Sequence, residues 1–386
     1  MSQPPVTDFP SEDSPKDSPQ EISTEVDRRW MQRCLELAAL AAGRTAPNPM
    51  VGCVIVNRGL VVGEGFHPQA GQPHAEVFAL AQAGAQAQGA TLYVNLEPCN
   101  HTGRTPPCTE AILGAQIRRV VVGMVDPDPR VSGSGIDRLR QAGIEVTVGV
   151  ETAACQQLNE GFVTRITRQR PLGLLKYAMT LDGKIATTSG HSAWVTGPAA
   201  RAAVHQLRST CDAIVVGGNT VRCDNPKLTT HGHSPHNPCR VVMSRRLDLP
   251  AQAHLWQTQV APTLVFTRLK SDPDRQRSLQ AQGVQVIALS TLTPRTVTQA
   301  LYDRGCASVL WECGGQLAAQ AIVDGVIDKL WAFVAPKLAG GPQAPTPIGD
   351  LGIHTMDRAL PLERVTWRSL GSDLLVEGYL RQSDLV

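Results

Sequence analysis

Four residues in the first third of this chain have the types and the spacing that metal-assisted hydrolysis requires. His74 and Glu76 lie in a Pro-His-Ala-Glu run, and Cys99 and Cys108 stand further along with eight residues between them. One imidazole and two thiolates make three ligands, which is the number a catalytic zinc ion uses when its fourth position stays open to water. The sequence therefore predicts a zinc site formed by His74, Cys99 and Cys108.

Glu76 is the predicted proton carrier at this site. It is too close to His74 along the chain to add usefully to the same tetrahedron, but it is close enough to exchange protons with water held there. Zinc brings the pKa of its bound water towards neutrality, so a carboxylate can take that proton and deliver it to a leaving amine. The alternative is a chance His-x-Glu pair beside cysteines that are buried as small apolar residues.

The Pro98-Cys99 pair, together with His74-Ala75-Glu76, matches the signature of zinc-dependent deaminases. The short form of that signature has two residues between its cysteines. The longer segment here, Asn-His-Thr-Gly-Arg-Thr-Pro-Pro, resembles the pyrimidine deaminase of riboflavin biosynthesis and disfavours a cytidine or tRNA deaminase. In deaminases the Asn-Pro element at Asn48 resembles a substrate-binding turn, although an ordinary turn asparagine is the alternative.

The composition is typical of a two-domain enzyme of the cytoplasm. A chain of 386 residues is long enough for two domains, each with its own core. Its net charge of +2 indicates no polyanionic partner, and no apolar run reaches membrane-spanning length. No signal peptide opens the chain, and ten scattered cysteines favour a reducing cytosol. We therefore expect neither nucleic acid nor membrane partners, and we leave homo-oligomer formation open.

The hydrophobic pattern divides the chain into four segments. Residues 1–25 are rich in Pro, Ser and acidic residues, and we expect them to be disordered. Residues 26–150 alternate helix and strand patterns, which favours a layered α/β domain. Residues 151–171 turn polar and basic and are predicted to be a linker. Residues 172–386 repeat an α/β pattern and end in two apolar runs that predict an antiparallel hairpin.

The second half contains glycine pairs at predicted strand ends. It lacks the G-x-G-x-x-G fingerprint, so a Rossmann dinucleotide fold is not supported. Gly217-Gly218 and Gly314-Gly315 each follow a predicted strand, where glycine lets a pyrophosphate approach the amides of a helix start. A plain turn is the alternative explanation for such pairs.

Three runs in this half carry a more specific signal, namely residues 176–184, 224–229 and 312–315. They look like the reductase half of the bifunctional deaminase-reductases of riboflavin biosynthesis, whose fold is similar to dihydrofolate reductase. The resemblance begins at about Val26 and follows the family's domain order. It implies a cytidine-deaminase-like α/β/α zinc domain over residues 26–150, followed by a dihydrofolate-reductase-like α/β domain over residues 172–386.

The resemblance also implies roles for individual positions in the reductase half and at the deaminase turn. NADPH would be held by Met179, Trp194, Thr220, Asp224, Gly314 and Gly315. The substrate would be held by Asn48, Ser192, Arg208, Leu228, His231 and Glu312. A guanidinium can meet phosphate oxygens bidentately, which suits Arg208 to a ribose phosphate, and a solvated helix face is its alternative. Lys176 and Asp182 belong to the same cleft without a definite role.

Two positions depart from the family pattern. The family's Leu-Thr-x-Arg is Leu228-Thr229-Thr230-His231 here, so a phosphate contact at His231 would weaken as the imidazole loses its proton near neutral pH. Ser244-Arg245-Arg246 replaces the family's Asp-Ser. These arginines would either grip the 2′-phosphate of NADPH or remain surface charges.

The sequence thus predicts a bifunctional enzyme of riboflavin biosynthesis with zinc and NADPH as cofactors. Its first domain would hydrolytically deaminate 2,5-diamino-6-(ribosylamino)pyrimidin-4-one 5′-phosphate, and its second would reduce the ribosyl group to ribityl. Three alternatives stay open. They are a nucleoside or nucleotide deaminase fused to an unrelated regulatory domain, a non-catalytic nucleotide-binding module with structural zinc, and a deaminase whose reductase half is weakened at His231 and Arg245.

Overall fold

The computed structural model describes residues 19–101 and 106–381, which form two layered α/β halves. The predicted disorder of residues 1–18 lies outside the described residues. Within the described ranges, no helix is both long enough and apolar enough to cross a membrane.

A central sheet organises the first half. Its strands are β1 (Gly52–Asn57), β2 (Leu60–Phe66), β3 (Thr91–Leu96), β4 (Arg119–Met124) and β5 (Glu145–Val148). Its helices are α1 (Pro19–Ala39), α2 (Ala75–Ala83), α3 (Cys108–Gly114) and α4 (Ser134–Gln141). In the described part of the chain the sheet has five strands in the order β2-β1-β3-β4-β5. The strands β3, β4 and β5 are parallel, and β1 is antiparallel to both of its neighbours.

Successive residues of the central strands enter two separate cores. In β1, Ile55 packs with α2, α3 and α4, whereas Val54 packs with α1 on the opposite face. Side chains alternate across a strand, so a sheet covered on both faces needs apolar residues at consecutive positions. The runs of valine and leucine in β3 and β4 meet that requirement, and the predicted three-layer α/β/α architecture is confirmed.

Two segments are helical although the sequence predicted one to be disordered and the other to be a linker. The helix α1 begins at Pro19, although residues 19–25 were expected to be disordered. Residues 151–171, the predicted linker, contain α5 (Thr152–Leu158) and α6 (Glu160–Arg168). The physical reason is amphipathicity, because Phe162 and Val163 pack into the α1 core while Arg165 and Arg168 make contacts to the second half.

A second, larger sheet organises the other half. Its strands are β6 (Leu172–Thr180), β7 (Ala213–Gly217), β8 (Cys239–Met243), β9 (Thr263–Arg268), β10 (Gln285–Leu289), β11 (Ser308–Trp311), β12 (Lys329–Ala335), β13 (Leu362–Leu370) and β14 (Asp373–Leu380). Its helices are α7 (Pro198–Ser209), α8 (Gly218–Asp224), α9 (Pro273–Ala281), α10 (Pro294–Asp303) and α11 (Gly315–Val323).

The order of this sheet among the described residues is β10-β9-β8-β7-β11-β6-β12-β14-β13. The strands from β10 to β12 are parallel, and β14 and β13 close the sheet as the predicted antiparallel hairpin. The sequence analysis missed α9, in which Leu279 is the buried side chain and the rest of the surface is polar. A helix with so little apolar surface has a weak periodic signal.

In each half, several of the predicted site residues lie at strand ends and helix starts. In the first half, His74 precedes α2, Cys99 follows β3, and Cys108 opens α3. In the second half, the parallel strands β6, β7 and β11 end at one edge of the sheet, and α8 and α11 begin there. Ligands of open parallel sheets bind outside the carboxyl ends of the strands.

We predict that Gly173→Ala destabilises the second half. Gly173 lies in β6, and a Cβ atom there would come within 1.7 Å of the carbonyl oxygen of Val326. Overpacking of this kind costs about 1–3 kcal/mol of unfolding free energy, which denaturant unfolding would measure. Gly114→Ala is the matched control, since nothing lies within 4 Å of a Cβ at that helical position. Equal stability of the two variants would contradict the packing argument.

Candidate active sites

The predicted zinc ligands come together in the first half. The ligand atoms of His74, Cys99 and Cys108 all lie within 4.8 Å of one another. The Nδ1 atom of His74 is 3.2 Å from the Sγ atom of Cys108 and 3.5 Å from that of Cys99. Across residues 19–101 and 106–381, the cluster contains no fourth His, Cys, Asp or Glu. Three convergent soft donors without a fourth side chain match a catalytic rather than a structural zinc site.

Glu76, the predicted proton carrier, lies beside this cluster. It lies in the first turn of α2, is 3% exposed, and its Oε2 atom has no hydrogen-bond partner within the described residues. Burial raises the pKa of its carboxyl group. A buried carboxylate oxygen normally finds a donor, so an orphaned one beside three metal-binding atoms fits a site that receives a zinc ion and its water.

The thiols of Cys99 and Cys108 shift each other's pKa in opposite directions. The pKa of Cys99 lies below its usual value, mainly because the side chain of Cys108 hydrogen-bonds to it and also because His74 does. The backbone N–H of Cys108 donates to the same sulfur at 3.3 Å. The pKa of Cys108 is raised in return. A thiolate is therefore already favoured at Cys99, which is the form that binds a metal.

A buried carboxylate that the sequence analysis missed holds the zinc-site loop. Glu97 is 4% exposed and accepts backbone N–H groups from Asp126, Gly133, Gly135 and Ile136 at 2.9–3.4 Å. This ties the end of β3, two residues before Cys99, to the start of α4. Its position in the Glu-Pro-Cys run was visible in the sequence, but its donors are distant in the chain.

Asn48 lies on the same side of the site and is oriented by a second residue that the sequence analysis missed. Its Nδ2 atom is 3.2 Å from Nε2 of His67, whose Nδ1 atom is 3.0 Å from the carbonyl oxygen of Pro73. Because a carbonyl only accepts, the His67 proton belongs on Nδ1, and Nε2 accepts from Asn48. Burial lowers the pKa of His67, which keeps the ring neutral. The side-chain oxygen of Asn48 is thereby left to accept from a ligand.

A charged group lies at the strand ends of the second half. Arg208 donates from Nε and Nη2 to the two carboxylate oxygens of Glu312 at 2.6 and 3.0 Å, and from Nη1 to the carbonyl of Thr229 at 3.1 Å. The Nζ atom of Lys176 is 3.8 Å from Glu312. Burial raises the pKa of Glu312, but the charges of Arg208 and Lys176 outweigh it and bring that pKa to about 2. The bidentate edge of the Arg208 guanidinium, Nε and Nη2, is therefore occupied by Glu312.

The positions expected to hold NADPH surround this group. Met179 lies near the end of β6, Thr220 and Asp224 lie in α8, and Gly314 and Gly315 lie at the start of α11. A Cβ atom at Gly315 would approach the carbonyl oxygen of Thr346 to 2.5 Å, so the backbone segments are in close contact there. The exposed ring of Trp194 lies under the guanidinium of Arg201 at 4.5 Å.

The remaining predicted positions have mixed surroundings. The Ser192 hydroxyl donates to Asp224 at 3.1 Å. Leu228 is 2% exposed and belongs to the hydrophobic core, so its side chain is unavailable to a substrate and only its backbone can face one. Asp182 accepts the backbone N–H groups of residues 339 and 340 at 3.1 and 2.7 Å, which makes it a loop anchor. Arg245 is exposed.

Together with the fold, these two sites make the chain a zinc-dependent deaminase joined to a reductase. Residues 24–124 match the family model of the cytidine and deoxycytidylate deaminase zinc-binding region, and residues 171–376 match that of the RibD C-terminal domain. The riboflavin biosynthesis protein RibD of Synechocystis sp. is 60% identical over 358 residues, which are 93% of this chain and 97% of that protein. The chain belongs to the RibD family of riboflavin biosynthesis proteins.

Further relatives and solved structures agree with this assignment. RibD of Aquifex aeolicus is 42% identical over 91% of this chain and 98% of its own length. The structure of Acinetobacter baumannii RibD superposes with a TM-score of 0.83 at 38% identity, covering 93% of this chain and 99% of that one. A deaminase-reductase structure from Thermotoga maritima gives a TM-score of 0.82 at 36% identity, covering 93% and 100%.

The family assignment confirms several sequence predictions. The chain is a bifunctional deaminase and reductase of riboflavin biosynthesis with zinc and NADPH as cofactors. The dihydrofolate-reductase-like second domain is confirmed with the deaminase-like first one. Both halves match their families, so the deaminase-only alternative has no support.

We predict that Glu97→Gln weakens zinc retention. An amide nitrogen would face backbone N–H groups that now donate to a carboxylate oxygen, and each unsatisfied buried donor costs about 1–3 kcal/mol. The loop before Cys99 would loosen, so zinc would be lost at lower chelator concentration in a competition titration. Glu110→Gln is the control, because that carboxylate is half exposed and pairs with Arg138 on the surface. Identical zinc affinities in the two variants would count against the role assigned to Glu97.

Proposed function

We propose that the first half deaminates a diaminohydroxyphosphoribosylaminopyrimidine and that the second half reduces the resulting 5-amino-6-(5-phosphoribosylamino)uracil. These are the activities that the Thermotoga maritima relative's description states for that protein. The observation that carries the proposal is the orphaned, buried Oε2 atom of Glu76 beside the three-donor cluster. A substrate amine leaving as ammonia needs a proton, and Glu76 is the buried ionisable group at hand.

In the deaminase site, each residue has a distinct task. His74, Cys99 and Cys108 would hold the zinc ion, which lowers the pKa of water and so supplies a nucleophile near neutral pH. Glu76 takes a proton from the attacking water and gives it to the departing amino group, and its raised pKa brings it nearer to the operating pH for both transfers. Asn48, oriented by His67, accepts a hydrogen bond from the pyrimidine through its side-chain oxygen.

In the reductase site, NADPH supplies the hydride, and the protein positions the sugar. We infer that the cofactor lies across the starts of α8 and α11, where glycines bring the backbone close. Glu312 stays ionised and accepts hydrogen bonds from sugar hydroxyls, while Arg208 holds its carboxylate in one plane. Lys176, whose pKa burial lowers, is the nearby group suited to donate the proton that accompanies hydride addition.

We propose the cytoplasm as the place of action and 26–150 and 172–386 as the two domains. All ten cysteines are free thiols, which suits a reducing compartment. The helices α5 and α6 join the halves, and Asp328 of the second half binds Arg168, the last residue of α6, and Arg170 just after it at 2.6–2.7 Å. A phosphorylated pyrimidine is the proposed substrate.

We predict that Glu76→Gln abolishes deamination and spares everything else. The amide cannot carry the proton, so the deamination rate should fall about 100- to 10,000-fold. Zinc content, measured by elemental analysis, and NADPH oxidation with pre-deaminated substrate should both match the wild-type protein. Glu110→Gln serves as the control on the neighbouring helix. Undiminished deamination by Glu76→Gln would overturn the assignment.

We predict that Arg208→Lys lowers reductase activity and makes it sensitive to acid. Lysine cannot form the two-pronged contact with Glu312, and the loss of a charged hydrogen bond, about 1.5–3 kcal/mol, corresponds to about a ten- to hundredfold decrease in kcat/KM. Arg208 lowers the pKa of Glu312, so that pKa rises in the variant and activity is lost as the pH falls through the new value.

The pH profile of NADPH oxidation would show this loss, with deamination unchanged. Arg138→Lys is the matched control, because Arg138 also contacts a glutamate, Glu110, but on the exposed surface of the first half. A variant with the wild-type acid limb would refute the proposed role of Arg208.

A further inference from the structure

A buried asparagine of the segment between the halves holds the turn that carries Asn48. Asn159 lies between α5 and α6, outside the predicted deaminase domain, and is 2% exposed. Its Oδ1 atom accepts the backbone N–H of Met50 at 2.8 Å, and its Nδ2 atom donates to the carbonyl oxygen of Met50 at 3.0 Å. One side-chain amide thus binds both backbone groups of Met50, as a neighbouring strand would.

Met50 is linked to Asn48 through a short and restricted piece of backbone. Pro49 separates the two residues, and its ring restricts φ to about −65°. The backbone N–H of His67, whose ring contacts Asn48, donates to the carbonyl oxygen of Val51 at 2.9 Å. The position of the backbone at residues 50 and 51 therefore sets both members of the Asn48–His67 pair.

Hydrogen bonds hold this turn more than side-chain packing does. Residues 48–50 are half-buried, and a cavity of about 210 Å³ is lined by Asn48 and Met50 together with Leu174 and Trp331 of the second half. A cavity supplies no contacts on the side that it occupies. The Nδ2 atom of Asn95, in β3, also donates to the carbonyl oxygen of Met50, at 3.0 Å. The N–H of Met50, by contrast, is bound by the segment between the halves.

The segment that carries Asn159 is anchored to the second half. The next residue, Glu160, accepts a hydrogen bond from the hydroxyl of Tyr379, and its Oε2 atom lies 4.0 Å from Nζ of Lys329. Tyr379 belongs to β14 and Lys329 to β12. The carbonyl oxygen of Asn159 accepts the N–H of Val163 within α6 at 2.9 Å. Consecutive side chains of one segment thus bind the deaminase turn and the reductase sheet.

We propose that Asn159 is a positioning residue for deamination, which sets the turn so that Asn48 meets the pyrimidine ring. This rests on the proposed deaminase function. The role needs one acceptor and one donor on a short side chain, and asparagine has both. An aspartate carboxylate has acceptors alone, so it can bind the N–H of Met50 but not the carbonyl oxygen.

The substitution Asn159→Asp therefore has a defined pH dependence. A protonated acid donates to the carbonyl oxygen of Met50 and accepts its N–H, as the amide does, whereas the carboxylate places a negative charge against that carbonyl. Burial favours the uncharged form, so the pKa of the introduced carboxyl lies above its usual value. The turn is held below that pKa and is released as the pH rises through it.

Other titrating groups near the turn are shared with the wild-type protein. The charged groups that line the cavity are Arg44 on the turn, Glu160 on α6, Asp212 before β7 and Lys329 on β12. The buried thiols of Cys155 and Cys211 stay protonated, since burial raises the pKa of both to about 12. Each variant is therefore compared with the wild type at the same pH.

The experiment is steady-state deamination by the full chain between about pH 6 and pH 8, with ammonia release as the signal. Asn159→Ala should raise KM about five- to tenfold at every pH, because Asn48 loses a well-placed hydrogen bond to the substrate. The kcat, the zinc content and NADPH oxidation with pre-deaminated substrate should match the wild type. Asn159→Asp should behave like Asn159→Ala at the alkaline end and return to the wild-type KM at the acid end.

Asn57→Asp is the matched control, because Asn57 also donates to a backbone carbonyl, that of Gln86 at 2.7 Å, but at the other end of β1. Its KM should follow the wild type at each pH. An Asn159→Ala variant with the wild-type KM, or with zinc and reductase activity lost as well, would overturn the proposal. So would an Asn159→Asp variant whose KM at the acid end stays as high as that of Asn159→Ala. A wild-type protein that releases no ammonia from the pyrimidine would instead reject the deaminase function.

Discussion

A carboxylate taken out of water must find hydrogen-bond donors or cations, and this constraint fixes the loops of both halves. Glu97 gathers four backbone N–H groups and joins the end of β3 to the start of α4. Asp328 accepts from Arg168, Arg170 and the N–H of Gly173, and so attaches the connecting segment to the second sheet. Each of these hydrogen bonds joins residues that are far apart in the chain. The loops that carry the site residues are therefore fixed at both ends.

Glu76 is the exception that reveals the chemistry. Its Oε2 atom is buried without a partner among the described residues, beside three atoms suited to zinc. An unsatisfied buried carboxylate oxygen is costly in a folded protein, and such costs are characteristic of functional sites. Nearby, Glu97 and the His67–Asn48 pair make the hydrogen bonds that hold the neighbouring loops.

In the reductase half, the buried carboxylate is stabilised by cations rather than by backbone N–H groups. Glu312 is kept ionised by Arg208 and Lys176, so both of these cations face one carboxylate. Nε and Nη2 of Arg208 donate to Glu312 in this structure, and phosphate binding by Arg208 stays a prediction.

The sequence by itself predicted the cluster of His74, Cys99 and Cys108 that could hold a metal ion, the glutamate beside it, the order of the two domains and most strand positions. These features depend on residue types at short spacings or on the alternation of apolar residues, which survive in a linear chain. The two helices within residues 151–171 were missed because their apolar residues acquire a partner only when α1 packs against them. Only the folded protein shows that Leu228 belongs to the core and that His67 and Glu97 hold neighbouring residues by hydrogen bonds. Tertiary structure decided these points because hydrogen bonds and burial act between residues that folding alone brings into contact.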